Sequence, residues 1–80
     1  MSTLTLANEP LASEVHFSDA MLQVVLDDGR ELSIPVEWYP RLRDATDAQR
    51  HNWRLIGRGE GIHWPDIDED ISVLGLLKGR

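Results

Sequence analysis

Gly61-Ile62-His63-Trp64-Pro65-Asp66-Ile67-Asp68-Glu69-Asp70 packs a histidine, a tryptophan, a proline and four carboxylates into ten residues. Such density marks either a site or a sharply specified joint between a strand and the next element. Read as a joint, Ile62 to Trp64 is a strand. Asp68 then caps a last helix running through Leu77, with Glu69 and Asp70 in its first turn, where the helix dipole favours anions. Gly79 is the stop.

Working back from this joint, Trp53 to Gly57 is the partner strand, joined to Ile62–Trp64 around the glycine-rich loop. A tight turn near Arg58-Gly59 aligns Trp53 with Trp64 and Leu55 with Ile62, and sets Arg54 opposite His63 on the other face. Before it, Thr46-Asp47-Ala48-Gln49 has capping-box spacing, so a short helix starts at Asp47 and ends by Asn52. Trp38-Tyr39-Pro40-Arg41-Leu42 is the first turn of another short helix, since proline is tolerated there and not deeper.

The first half alternates with period two, the pattern of strands with one buried face. A two-residue turn at Asp19-Ala20 pairs Phe17 with Leu22 and Val15 with Val24. At the next turn, a two-residue loop would set Leu26 against Glu31 and mix the faces. A three-residue loop, Asp27-Asp28-Gly29, instead pairs Val24 with Leu32 and Leu22 with Ile34, with Gly29 left-handed. Pro35 cannot donate to a ladder, so the third strand ends there or runs along an edge. The expected order is β-β-β-α-α-β-β-α. That is a small single α+β domain over 11–80, mainly of antiparallel strands, after a flexible N-terminal arm over 1–10.

The chain has 80 residues and no cysteine, so neither disulfides nor thiolate zinc staple it, which fits a cytoplasmic location. It has no long apolar run, and Met1 to Pro10 does not read as a signal peptide. Its net charge of -6, from 14 acidic and 8 basic residues, argues against a nucleic-acid binder and suits a partner with a basic surface. Five of the eight basic residues nevertheless lie between Arg41 and Arg58.

Two uses of these residues compete. Trp38, Tyr39, Arg41, Arg54 and His63 are of the types enriched where one protein grips another. The plainer use is structural, with tryptophans anchoring the core and arginines pairing with Glu37, Asp44 and Asp47. Alternatively His63, Asp66, Asp68 and Asp70 hold a metal or do acid–base work. A calcium loop starting at Asp66 wants glycine sixth and glutamate twelfth, and Ile71 and Leu77 stand there, so that motif fails. Ser72 and Thr46, the nearest hydroxyls, have simpler helix roles. Gly57-Arg58-Gly59-Glu60-Gly61 lacks the following helix of a phosphate loop, and Glu60 would repel phosphate. No cofactor is expected.

Val15-His16-Phe17, Leu32 to Leu42 with its Trp38-Tyr39-Pro40, Ala45-Thr46, Asn52 to Gly57, and Gly61 to Val73 with its Gly-Ile-His-Trp-Pro together resemble the bacterial family known as domain of unknown function 2442. The resemblance covers about Val15 to Gly79. It implies a small α+β fold and no catalytic residues. It also implies a standalone bacterial or phage protein, paired in many cases with another small protein as a toxin–antitoxin module. Some members carry a helix-turn-helix domain afterwards, for which this chain leaves no room. The expectation is a non-enzymatic, antitoxin-like or regulatory module that masks a partner protein, a basic toxin-like one fitting the charge. A small hydrolase using His63 and the Asp66–Asp70 carboxylates is the alternative. Edge strands leave a homodimer open.

Overall fold

The computed structural model describes residues 9–79. The expected arm over 1–10 therefore falls largely outside the described residues.

Strands β1 (Ala12–Ser18), β2 (Met21–Leu26) and β3 (Glu31–Pro35) form an antiparallel meander. Val15 pairs with Val24 and Phe17 with Leu22, as the two-residue turn demands, and Asp19 takes φ 56° in that turn. Val24 pairs with Leu32 and Leu22 with Ile34, with Gly29 left-handed at φ 96° in the three-residue loop. Asp28 accepts from the Arg30 backbone amide at 3.0 Å and from its guanidinium, which fastens the loop. A bulge between Ala12 and Glu14 lets β1 bend at its start.

β3 ends at Pro35, and a single 3-10 turn, Val36–Trp38, leads into α1 (Pro40–Arg43) with Pro40 in the first turn. Helix α2 (Asp47–His51) begins with both halves of the capping box: Gln49 N donates to Thr46 Oγ1 at 3.1 Å, and Thr46 N donates to Gln49 Oε1 at 3.0 Å. Arg50 closes α1 from outside, its guanidinium donating to the Leu42 and Arg43 carbonyls at 2.9 Å each.

The second meander corrects the expected joint. β4 (Arg54–Ile56) pairs with β5 (Gly61–Trp64) in the expected register, Arg54 against His63 and Leu55 against Ile62. However, Glu69–Ser72 is a third strand, β6, and not the start of a helix. Asp68 is the left-handed corner of the β5–β6 turn at φ 53°, not a cap. The last helix, α3, spans Val73–Lys78, and its cap is Ser72, whose hydroxyl accepts from Gly75 N at 2.9 Å. Gly79 ends it at φ 81°. The physical reason lies in Ile71. As a strand residue opposite Ile62 it is buried against the core, whereas a helix begun at Asp68 has no such ladder to join.

Both sheets feed one apolar cluster. Val15, Leu22, Val24 and Ile34 come from the first, and Ile62, Trp64 and Ile71 from the second. Leu42 of α1 and Val73 and Leu76 of α3 complete it. Trp64 is fully buried, and its indole N–H donates to the Arg50 carbonyl at 3.0 Å, so the ring enters the core without an unsatisfied donor. Burying that ring contributes about 4–6 kcal/mol at most. The sheets also touch through backbone: Ala12 N donates to Gly59 O at 2.8 Å. No helix among the described residues is long and apolar enough to cross a membrane.

Candidate protein-binding site

The outward face of the second sheet follows from its register. Residues opposed across an antiparallel ladder share a face, and the face alternates along each strand. Leu55, Ile62 and Ile71 oppose one another on the core side. Arg54, His63 and Asp70 therefore form a row across the outer side, and Ile56, Gly61 and Ser72 form the next row.

Within the first row, His63 Nδ1 and Asp70 Oδ1 are hydrogen bonded. Arg54 is exposed and makes no ion pair among the described residues. The other expected acids point elsewhere. Asp66 accepts from Asn52 Nδ2 at 3.0 Å, which ties the β5–β6 turn to the end of α2. Asp68 stands exposed at its corner, and its carbonyl accepts from the Arg41 guanidinium. Glu69 is partly buried, and desolvation pushes its carboxyl above the ordinary 4.5, with the Arg41 charge pulling the other way. The turn thus joins His63 to Asp70 alone and disperses the rest. Among the described residues, no three His, Cys, Asp or Glu side chains are grouped to hold a metal ion.

The expected aromatic contacts lie apart from this row. Trp38 and Tyr39 are half-buried and packed on the core, as is Trp53, while Trp64 is interior. Arg50 lies over the Phe17 ring at 5.6 Å, and Arg43 pairs with Asp44 at 3.0 Å and Glu37 at 3.7 Å. Most of the arginine–aromatic stretch thus closes helices and packs rings.

The exposed large apolar side chains among the described residues are Ile56, 42 % exposed, and Leu74, 45 % exposed. Both border hollows. A shallow one of about 410 Å³ runs along Ile56, Gly61, Asp70 and Ser72. A more enclosed one of about 190 Å³ lies between Pro10, Leu11, Val73 and Leu74. They adjoin at Glu60 and Ser72, which line both. Gly61, which lines the shallow hollow, leaves room for Ile56. A Cβ there would stand 3.1 Å from both the Ile56 Cδ1 and the Ile71 carbonyl oxygen, so Ile56 lies across the space that a side chain would take.

Glu60 fastens the glycine-rich turn from within. Its own carboxylate accepts from the Arg58 amide at 2.7 Å, inside the turn. That backbone hydrogen bond, more than any other cause, holds the carboxyl below its ordinary value. An anion would have to displace a tethered one.

Ile56 and Leu74 escaped the reading of motifs, yet each left a signal. Placing Arg54 on the outer face places Ile56 there too, two residues on. Val73-Leu74-Gly75-Leu76-Leu77 carries more apolar residues than one side of a short helix can bury.

This chain belongs to the family described as "Protein of unknown function (DUF2442)", whose model matches residues 12–80. It is similar to a protein of unknown function from Rhodospirillum rubrum, seen in a crystal structure. The two share 32 % identity over 90 % of this chain and 89 % of that one, with a TM-score of 0.78. It is similar also to an uncharacterised protein from Chromobacterium violaceum, seen in solution by NMR. Here the identity is 25 % over 98 % of this chain and 72 % of that one, with a TM-score of 0.76. None of the curated proteins matches the chain.

Proposed function

We propose that this protein is a non-enzymatic binding module of the bacterial cytoplasm, antitoxin-like or regulatory, that masks a partner protein. The observation that carries the reading is the placement of Ile56 and Leu74, exposed beside two adjoining hollows, while the other large apolar side chains among the described residues are at least half covered. Apolar residues gathered beside a concave, polar-rimmed surface are the usual material of a protein contact. Of the residues expected from the sequence, Arg54 and His63 stand in the row beside Ile56 and belong to the proposed contact. Arg41 helps hold the β5–β6 turn, and Trp38 and Tyr39 pack against the core.

The test is isolation of the tagged protein from its source, with the mass of the recovered complex measured in solution. A stoichiometric protein partner that is lost on Leu74→Lys or Ile56→Lys is the expected result. Recovery of the protein alone under gentle conditions overturns the reading.

The His63–Asp70 hydrogen bond favours one other reading, a small hydrolase in which Asp70 orients His63 as a general base. Against it, His63 lines neither hollow, and the Ser72 hydroxyl is engaged in capping α3. Hydrolysis of a chromogenic ester that vanishes with His63→Gln would revive it.

A further inference from the structure

The two hollows share a charge as well as a wall. Glu9 and Glu60 line the enclosed one, and Glu60 and Asp70 line the shallow one. Among the described residues, no lysine or arginine lines either. The floor is apolar, from Pro10 and Leu11 through Val73 and Leu74 to Ile71 and Ile56. Arg54 stands one row away, and Arg58 precedes Glu60 in the β4–β5 turn, its own amide turned toward that carboxylate.

We infer that the Ile56–Leu74 surface takes a segment of a partner protein whose apolar side chains are flanked by lysine or arginine. The inference rests on the protein-binding reading above and names the chemistry of its partner. Apolar residues of the segment cover Ile56 and Leu74, and its cations meet the Glu9, Glu60 and Asp70 carboxylates around them. A second copy of this chain is a poorer occupant, because it brings the same acidic rim and the same net charge of -6. Nucleic acid is poorer still, since its phosphates would face carboxylates.

The experiment uses the full chain with its isoleucine and leucine methyl groups carbon-13 labelled, titrated with two synthetic peptides of equal length. One alternates lysine with leucine, the other glutamate with leucine. The expected result is saturable movement of the Ile56 and Leu74 methyl signals with the lysine peptide and none with the glutamate peptide. Raising the salt from low to high ionic strength weakens that binding roughly tenfold, because the rim charges are exposed. Asp70→Asn and Glu9→Gln each weaken it about threefold, as befits exposed ion pairs. Since Asp70 also bonds His63, Glu9→Gln serves as the variant that leaves the sheet untouched.

Equal movement with the glutamate peptide overturns the basic partner while leaving the protein-binding surface intact. A lysine peptide that moves other isoleucine or leucine methyl signals and leaves those of Ile56 and Leu74 still overturns the surface itself. Failure of the broader binding reading shows separately, as absence of any partner in the isolation described above.

Discussion

A Cβ built on Gly59 would stand 2.3 Å from the Ala12 carbonyl oxygen and 3.0 Å from the Ala12 nitrogen. Gly59 therefore lets the β4–β5 turn of the second sheet reach the start of β1 in the first, where Ala12 N donates to Gly59 O. Its φ of 122° is also one that side chains rarely adopt. Gly59→Ala is expected to cost about 2–4 kcal/mol, from backbone strain and separation of the sheets together. Gly29 is the control. It too is left-handed, at φ 96°, but nothing stands within 4 Å of its missing Cβ. Gly29→Ala should cost only about 1 kcal/mol. Thermal melts separate the two, at about 4–8 °C per kcal/mol for a domain of this size. Equal losses would mean that the contact with Ala12 contributes nothing.

Much of that architecture was readable beforehand, and the reasons are local. The first meander has period two on each strand and short turns whose length sets the register. A slip of one residue would send Val24 and Leu22 outward, so only one pairing agrees with burial. The capping box at Thr46 is local in the same way. Asp68-Glu69-Asp70 was not readable, because acids beside an apolar run serve a helix start and an outward-facing strand equally well. What decides between them is Ile71 meeting Ile62 across the ladder, and that pairing depends on a turn with Asp68 at positive φ, which the residue types alone do not signal. The candidate site was legible only in its register. Arg54 and His63 were set on one face by register, but the aromatic residues expected beside them are held by the core. How far Ile56 and Leu74 remain uncovered is decided by packing, which no short motif encodes.

The strand at Glu69–Ser72 makes a prediction about caps. Ser72→Ala removes the hydroxyl that accepts from Gly75 N, and should cost about 1 kcal/mol. Asp68→Gly should be neutral or stabilise by up to about 1 kcal/mol, because glycine relieves the positive φ. Urea unfolding of the two variants distinguishes the arrangements. A loss at Asp68→Gly with none at Ser72→Ala would restore the helix start to Asp68.

Trp64 and Trp53 should respond differently to the same change. Trp64 is fully buried, meets Phe17 edge-on at 6.4 Å and donates to the Arg50 carbonyl. Trp64→Phe leaves a gap and an unpaired carbonyl, for a loss of about 2–4 kcal/mol. Trp53 is half-buried at the margin of the core, and Trp53→Phe should cost about 1 kcal/mol or less. Chemical denaturation followed by circular dichroism, which does not depend on the tryptophan removed, measures both. A Trp64→Phe variant as stable as the parent would show that the ring is not interior.

Acid acts on this fold in two opposing directions, and Glu69 is the group that sets them apart. Its carboxyl is raised above 4.5, first by desolvation and secondarily by the nearby Asp70 and Asp68 charges, against the pull of Arg41. A folded carboxyl that holds its proton more tightly than the unfolded one favours folding when protonated. Glu69 therefore contributes most below the ordinary glutamate range, and that contribution is lost as pH rises through its folded value. Asp28, Asp44 and Glu60 run the other way. The Arg30 amide, the Arg43 guanidinium and the Arg58 amide respectively hold them down, so their contribution is present at neutral pH and lost on acidification. Because Glu69→Gln removes only the raised group, the variant should gain on the parent as pH rises from 4 to 7 and lose that advantage at the acid end. Melting temperatures across that range measure the difference. A constant gap between the two proteins would mean that the desolvation of ionised Glu69 beside β5 is compensated in full by Arg41.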